Sequence, residues 1–250
     1  MPDRHWQSRS WPRPALATSV LAVAGVAALA GCSGSASSSA GSASSQQSSA
    51  SASATAQVTF SAAQLKAALL AEVNGKKPAA AAESGDYGSL PDVQTSKQTM
   101  NGVKVDPAKC ATASQTGFNS SAFTKAPASV VTFRVGNDGV SEILVSTQAP
   151  AAATALGDTL PAGCSHYSTT VDGKTLRYTV RESAVSGLAE QARALNVKAS
   201  GYASVDVWSV VYRGDGFVGA VTVVGPDATE ANVTDLAQDA YSHAAGSLTQ

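Results

Sequence analysis

The sequence predicts an α+β domain, an antiparallel sheet covered by an N-terminal and a C-terminal helix and stapled by one disulfide. Three observations predict it. Alternating apolar and polar residues around two tight turns, Asp172-Gly173 and Gly214-Asp215-Gly216, mark successive hairpins. Amphipathic helical stretches open and close the segment 58–250. Two cysteines, Cys110 and Cys164, remain in that segment as an even pair.

In chain order, Ser61-Ala62-Ala63-Gln64 fits a capping box, with Phe60 placed as a hydrophobic staple. Leu65, Leu69 and Val73 recur on one helical face and Asn74-Gly75 supplies a stop, so the spacing predicts a helix over 61–74. Lys76 to Gly102 is rich in Gly, Pro, Ser and Asp and reads as an irregular loop. Asp106-Pro107 reads as a helix N-cap followed by a first-turn proline, which places Cys110 on a short helix. Val131, Phe133 and Val135 alternate with Thr132 and Arg134, and Gly136-Asn137-Asp138-Gly139 turns the chain into a strand over 140–146. A helix from Pro150 to about Leu160 follows, before Pro161-Ala162-Gly163-Cys164.

The Asp172-Gly173 turn fixes a register: Val171 opposite Lys174, Thr169 opposite Leu176, Tyr167 opposite Tyr178. Tyr167, Leu176, Tyr178 and Val180 then share one face, and Ser168, Arg177 and Arg181 the other. Leu188–Leu195 reads as helix or loop. Ser204–Tyr212 and Phe217–Val224 make the second hairpin. Asp227-Ala228-Thr229-Glu230 is a capping-box analogue, after which Val233, Leu236, Ala237, Ala240, Tyr241, Ala244 and Leu248 form a continuous apolar stripe.

The residues before 58 carry a different message. Arg4, Arg9 and Arg13 form a basic start, and Ala15–Ala30 is apolar but too short to span a bilayer as a helix. Leu29-Ala30-Gly31-Cys32 then matches the lipobox of bacterial lipoproteins. The match implies a signal peptide over 1–31 and a diacylglyceryl group on Cys32, which becomes the first residue of the mature chain. A plain secretory signal with a cysteine by chance at its cleavage site is the alternative. No Arg-Arg pair marks a twin-arginine signal. Residues 33–57 are almost entirely Ser, Ala, Gly and Gln, with too little apolar surface to offset the entropy of ordering, and read as a disordered tether. A coil of that length spans roughly 25–30 Å.

Processing also shifts the charge. The 17 basic residues lose Arg4, Arg9 and Arg13 and the 18 acidic ones lose Asp3, leaving 14 against 17. Weak acidity without basic clusters argues against nucleic acid or anionic lipid headgroups as the main partner. In an oxidising compartment Cys110 and Cys164 most simply form a disulfide. Free thiols or half a metal site are the alternatives, but no CxxC spacing is present and the mature chain has only His166 and His243.

No G-x-S-x-G, HExxH, P-loop or calcium-loop pattern is present. Neither a catalytic set, nor a metal site, nor a cofactor is expected. His166 falls on the polar face of its strand, with no nucleophile and orienting carboxylate identifiable around it. Arg177 and Arg181 lie on one strand face about 13 Å apart, where they suit an anionic ligand or a solvated surface. Val205, Val207 and Val211 share one face of their strand, and Trp208, Val210 and Tyr212 the other. One face is core; the other is covered by a helix or lines a cleft in which Trp208 and Tyr212 suit a ring-bearing ligand.

The order of elements resembles the extracellular sensor domain of the actinobacterial kinase PknH and its lipoprotein relatives. The resemblance rests on the opening helix, the turn Asp106-Pro107-Ala108-Lys109-Cys110, and an Ala-rich helix ending in Pro161-Ala162-Gly163-Cys164. A strand hairpin and a C-terminal Ala-rich helix complete it. It implies a Cys110–Cys164 bridge and a cleft for an unidentified ligand; the family's second disulfide has no counterpart here. The expectation is a lipid-anchored, non-enzymatic, sensor-like domain on the outer face of the cell membrane, facing an unknown envelope ligand or protein. An envelope hydrolase or an assembly factor for another exported protein are the rival readings.

Overall fold

The computed structural model describes residues 59–248 except 101, 114–117, 119–120, 158–159 and 190. The expected signal peptide, the lipidated Cys32 and the tether lie outside these residues. The chain runs through α1 (Ala62–Ala67), β1 (Glu83–Asp86), α2 (Pro91–Met100), β2 (Lys104–Asp106), β3 (Pro127–Val135) and β4 (Asp138–Ser146). It continues with α3 (Ala149–Gly157), β5 (His166–Val171), β6 (Lys174–Ala184), β7 (Gln191–Gly201), β8 (Val205–Gly214), β9 (Phe217–Val224) and α4 (Glu230–Leu248). The nine strands form one antiparallel sheet in the order β1-β3-β4-β9-β8-β7-β6-β5-β2.

Both sequence-derived hairpins are present. Val171 pairs with Lys174, Thr169 with Leu176 and Tyr167 with Tyr178, and the two tyrosine rings stack at 4.8 Å. A two-residue turn with Asp172 and Gly173 both at positive φ demands this register. The β8–β9 hairpin closes Gly214 onto Phe217.

Strand alternation gives the sheet two faces, and each buries its own core. On the first, Val131, Phe133, Val140, Leu144, Val210, Tyr212, Val221 and Val223 pack beneath α1 and α4. On the second, Val130, Val145, Val211, Val218 and Ala220 pack against Leu90 and Val93 around α2 and against Ala152 of α3. A third cluster joins Cys110, Cys164, Tyr167, Val180, Leu195 and Val197. The Cys110–Cys164 disulfide, Cα–Cα 5.3 Å, lies inside it. It ties the segment after β2 to the segment before β5, and those strands already pair.

Several elements depart from the sequence reading. The capping box of α1 forms, with Gln64 N–H donating to Ser61 Oγ and Ser61 N–H donating to Gln64 Oε1. The helix nevertheless ends at Ala68 rather than at Asn74. The Leu70 amide is taken by the carboxylate of Glu142 on β4 at 2.8 Å, a tertiary bond that competes with the next helical turn. Asn74 and Gly75, both at positive φ, instead turn the chain between the bridged Val73 and Lys76. The expected loop 76–102 contains β1 and α2. β1 exists only because β3 offers it a partner, and α2 buries little more than Val93 and Ser96, too few positions to show a period. Asp106 is not a helix cap: it ends β2 opposite Ser168, its peptide to Pro107 is cis, and Ala108–Cys110 is a single 3-10 turn. Residues 191–195 belong to a long strand rather than a helix or loop, because β6 and β8 pair with β7 on both sides. The cap of α4 is Thr229, whose Oγ1 accepts from Asn232 N–H while Asn232 Oδ1 accepts from Thr229 N–H; the expected cap lay two residues earlier.

Candidate open-sheet site

The helices of the first face do not reach its far side. α4 packs on β8 and β9 and touches β7, and α1 packs on β3 and β4. Beyond them the alternation continues with polar residues: Asn196, Lys198 and Ser200 on β7, Arg177, Thr179 and Arg181 on β6, His166 and Ser168 on β5, and Lys104 and Asp106 on β2. Apart from Asn196, which is buried, these side chains form an open shoulder of the sheet, with Lys104, Arg177, Arg181, Lys198 and His166 all exposed.

The register sets its geometry. Arg181 stands opposite Asn196, which stands opposite Trp208, so one row crosses three strands. Two strand spacings put Trp208 about 10 Å from Arg181. Thr179 lies between the two arginines and faces Lys198. Asp206 is already engaged: Asn196 Nδ2 donates to its Oδ1 at 2.8 Å and Lys198 Nζ sits 2.8 Å from its Oδ2. At the border with α4, Glu230 accepts from Ser183 Oγ at 2.7 Å. Among the described residues the side chains of Arg177 and Arg181 make neither hydrogen bond nor ion pair. Two cations are thus left uncompensated on a flat polar surface, in a chain whose formal charge is −1.

Three of the four residues singled out as ligand-binding, Arg177, Arg181 and Trp208, therefore share one sheet face. Tyr212 shares the face but not the site. It is fully buried, and its ring packs edge-on against Tyr241 of α4 at 5.8 Å. The face carrying Trp208 and Tyr212 is the helix-covered one, and Tyr212 is a core residue with no surface for a ligand. Trp208 is half-buried at the rim of the covered region. Asn196 and Lys198 went unnoticed in the sequence because β7 did, and with them the partners that give Asp206 on β8 its role. The signal was present, since Leu195, Val197 and Ala199 alternate with Asn196 and Lys198.

Two further polar arrangements stand out. The first is Glu142, whose β4 position between Val140 and Leu144 points it into the main core, where it is 1 % exposed. Burial pushes its carboxyl up to about 7, against the opposing effect of the Leu70 amide bond. The neighbouring Tyr212 phenol is also raised, by burial first and then by the Glu142 charge. Gly219 on β9 permits this arrangement: a Cβ there would lie 2.3 Å from the Tyr212 ring, so only glycine lets the ring cross β9 toward β4. Glu142 Oε1 and Tyr212 Oη are both buried without a partner.

The second is a cavity of about 310 Å³ between the end of α3 and the start of β7, lined by Leu156, Gly157, Val185, Gln191, Ala192 and Arg193. Arg193 is held by Glu182 at 2.6 Å, and the other Glu182 oxygen accepts the Leu160 amide at 2.8 Å. That pair fastens the chain after α3 to the sheet. Ser165 Oγ lies 3.1 Å from His166 Nδ1, but both are exposed and no carboxylate bonds the ring among the described residues. Nor do three His, Cys, Asp or Glu side chains cluster among them as a metal would require.

Comparison with known proteins places this architecture. Its fold is similar to the extracellular domain of PknH from Mycobacterium tuberculosis, with TM-score 0.51 and 15% identity over 77% of this chain and 98% of that one. The likeness is one of fold. An uncharacterised Mycobacterium smegmatis protein, the Rv0999 ortholog, aligns with TM-score 0.40 and 19% identity over 75% of this chain and 94% of its own. No protein-family profile and no curated protein matches the sequence. The layout inferred from the order of elements is thus present in three dimensions.

Proposed function

We propose that this chain is an exported lipoprotein, lipidated on Cys32, whose sensor-like domain binds an anionic component of the cell envelope without turning it over. One observation carries the binding reading: the side chains of Arg177 and Arg181 stand unpaired on the open part of the sheet face that Trp208 borders, with Asn196 between Trp208 and Arg181. The extracytoplasmic reading draws on the lipobox, the Cys110–Cys164 disulfide and the fold likeness to a kinase's extracellular domain.

The chemistry is charge pairing with directional hydrogen bonds. Guanidinium groups bind carboxylate or phosphate in a bidentate fork, and their spacing of about 13 Å suits a ligand with two separated anionic groups better than a compact ion. Lys198 and the Thr and Ser hydroxyls around them add polar contacts. Of the three tryptophans, Trp6 and Trp11 leave with the signal peptide, so Trp208 is the one tryptophan reporter in the processed protein. Titration with acidic muropeptides and short phosphodiester oligomers is expected to change its emission, and neutral oligosaccharides are not. Arg177→Ala and Arg181→Ala are each expected to weaken binding about tenfold, the loss of one exposed charged hydrogen bond. A flat response to every anionic compound, or variants that bind as the parent does, sinks the reading.

A further inference from the structure

We propose that Glu142 is a proton-controlled latch on the N-terminal segment 59–73, through which the domain joins the chain that precedes it. Three sheet side chains grip the backbone of this segment. Ser146 Oγ accepts the Phe60 amide at 2.9 Å, Ser129 Oγ donates to the Ala62 carbonyl at 2.9 Å, and Glu142 Oε2 accepts the Leu70 amide at 2.8 Å. Glu142 alone among the three changes charge in the physiological range, and it is the one that interrupts α1 and directs the chain toward the Asn74-Gly75 turn.

Its surroundings favour the neutral form. Val131 of β3 and Val221 of β9 stand opposite it, and Tyr212 reaches toward it from β8 across Gly219. From α4, Tyr241 packs edge-on against Tyr212, whereas Glu230, Asp235, Asp239 and His243 are exposed. On α1 and the segment after it, Lys66 and Glu72 are exposed. On β4 itself, Asp138 is occupied by the Asp227 amide. No cation among these groups faces the carboxylate. The neutral carboxyl keeps the Leu70 bond through one oxygen and puts no charge beside the unpartnered Tyr212 hydroxyl. Ionisation puts a charge into an apolar core with only the Leu70 amide to stabilise it; burial outweighs that bond, and lifting the segment so that water reaches the carboxylate relieves it. The latch therefore holds at low pH and loosens as pH rises. It works independently of any ligand on the sheet shoulder.

Amide hydrogen exchange of the full chain tests this, with rates corrected for the intrinsic pH dependence of exchange. A carboxyl titrating at about 7 when latched and at 4.5 when released lowers the protection of 60–73 roughly thirty-fold between about pH 5.5 and pH 8.5. Glu142→Gln keeps an acceptor for Leu70 without a titrating charge, and is expected to make that protection independent of pH. If Glu142→Gln retains the parent's pH dependence, Glu142 is not the group and the proposal falls. If the variant does not fold, the parent decides alone. A loss confined to 60–73 with β8 and β9 unchanged supports the latch; a flat profile or a uniform loss overturns it.

Discussion

At the scale of single residues, the positions that shape this molecule are those that break the local pattern. Glu142 sits where strand alternation calls for an apolar side chain, and Gly219 sits mid-strand, where glycine is unfavourable unless something crosses it. Each makes sense through the other, because Tyr212 lies over the glycine and beside the carboxylate. The energetic consequence has a definite sign. A carboxyl raised from 4.5 to about 7 stabilises the fold fully below about pH 4.5, and that contribution disappears as pH rises through 7. At higher pH the loss amounts to about 3 kcal/mol. Glu142→Gln is therefore expected to match the parent in acid and to exceed it by up to about 3 kcal/mol above neutrality. Urea unfolding across pH checks this, and equal pH profiles for the two proteins would contradict it.

At the scale of elements, the hairpins and terminal helices could be read from the chain because their signals are local: a turn that admits positive φ, a period of two, a period near 3.6. The elements that escaped carry such signals weakly or not at all. β1 has four residues and no alternation of its own, and α2 is nearly all polar. β7 mixes Ala with Arg, Asn and Lys, and is a strand because both its edges are paired. The disulfide acts at this scale too. It closes 54 residues of separation between the ends of β2 and β5, which in the chain-entropy view stabilises by about 4 kcal/mol. Reduction is expected to lower the unfolding free energy by that order, with the β2–β5 edge losing exchange protection before β4, β8 and β9. A midpoint unchanged by reductant would show that the packing of Tyr167, Val180, Leu195 and Val197 suffices without it.

At the scale of the whole molecule, the asymmetry of the first sheet face matters most. One half is roofed by α1 and α4 and the other is bare, so the same alternation yields core on one side and a cationic surface on the other. Binding there is predicted to weaken steeply with salt, since exposed charges are screened beyond about 10 Å at 0.1 M ionic strength. Cys32→Ala is expected to move the protein from the membrane fraction to the soluble one or leave it unprocessed; unchanged lipid labelling would refute the anchor. The sequence by itself determined the α+β class, the register at Asp172-Gly173, the pairing of two cysteines and the expectation of export, because each follows from composition or from neighbours a few residues apart. Only the tertiary structure decided which half of a strand face is covered. Trp208 and Tyr212 are four residues apart on one strand face, yet Tyr212 is sealed under α4 while Trp208 stands at the rim beside Arg181. Alternation specifies a face; how far along it a helix reaches is set by packing between segments distant in the chain.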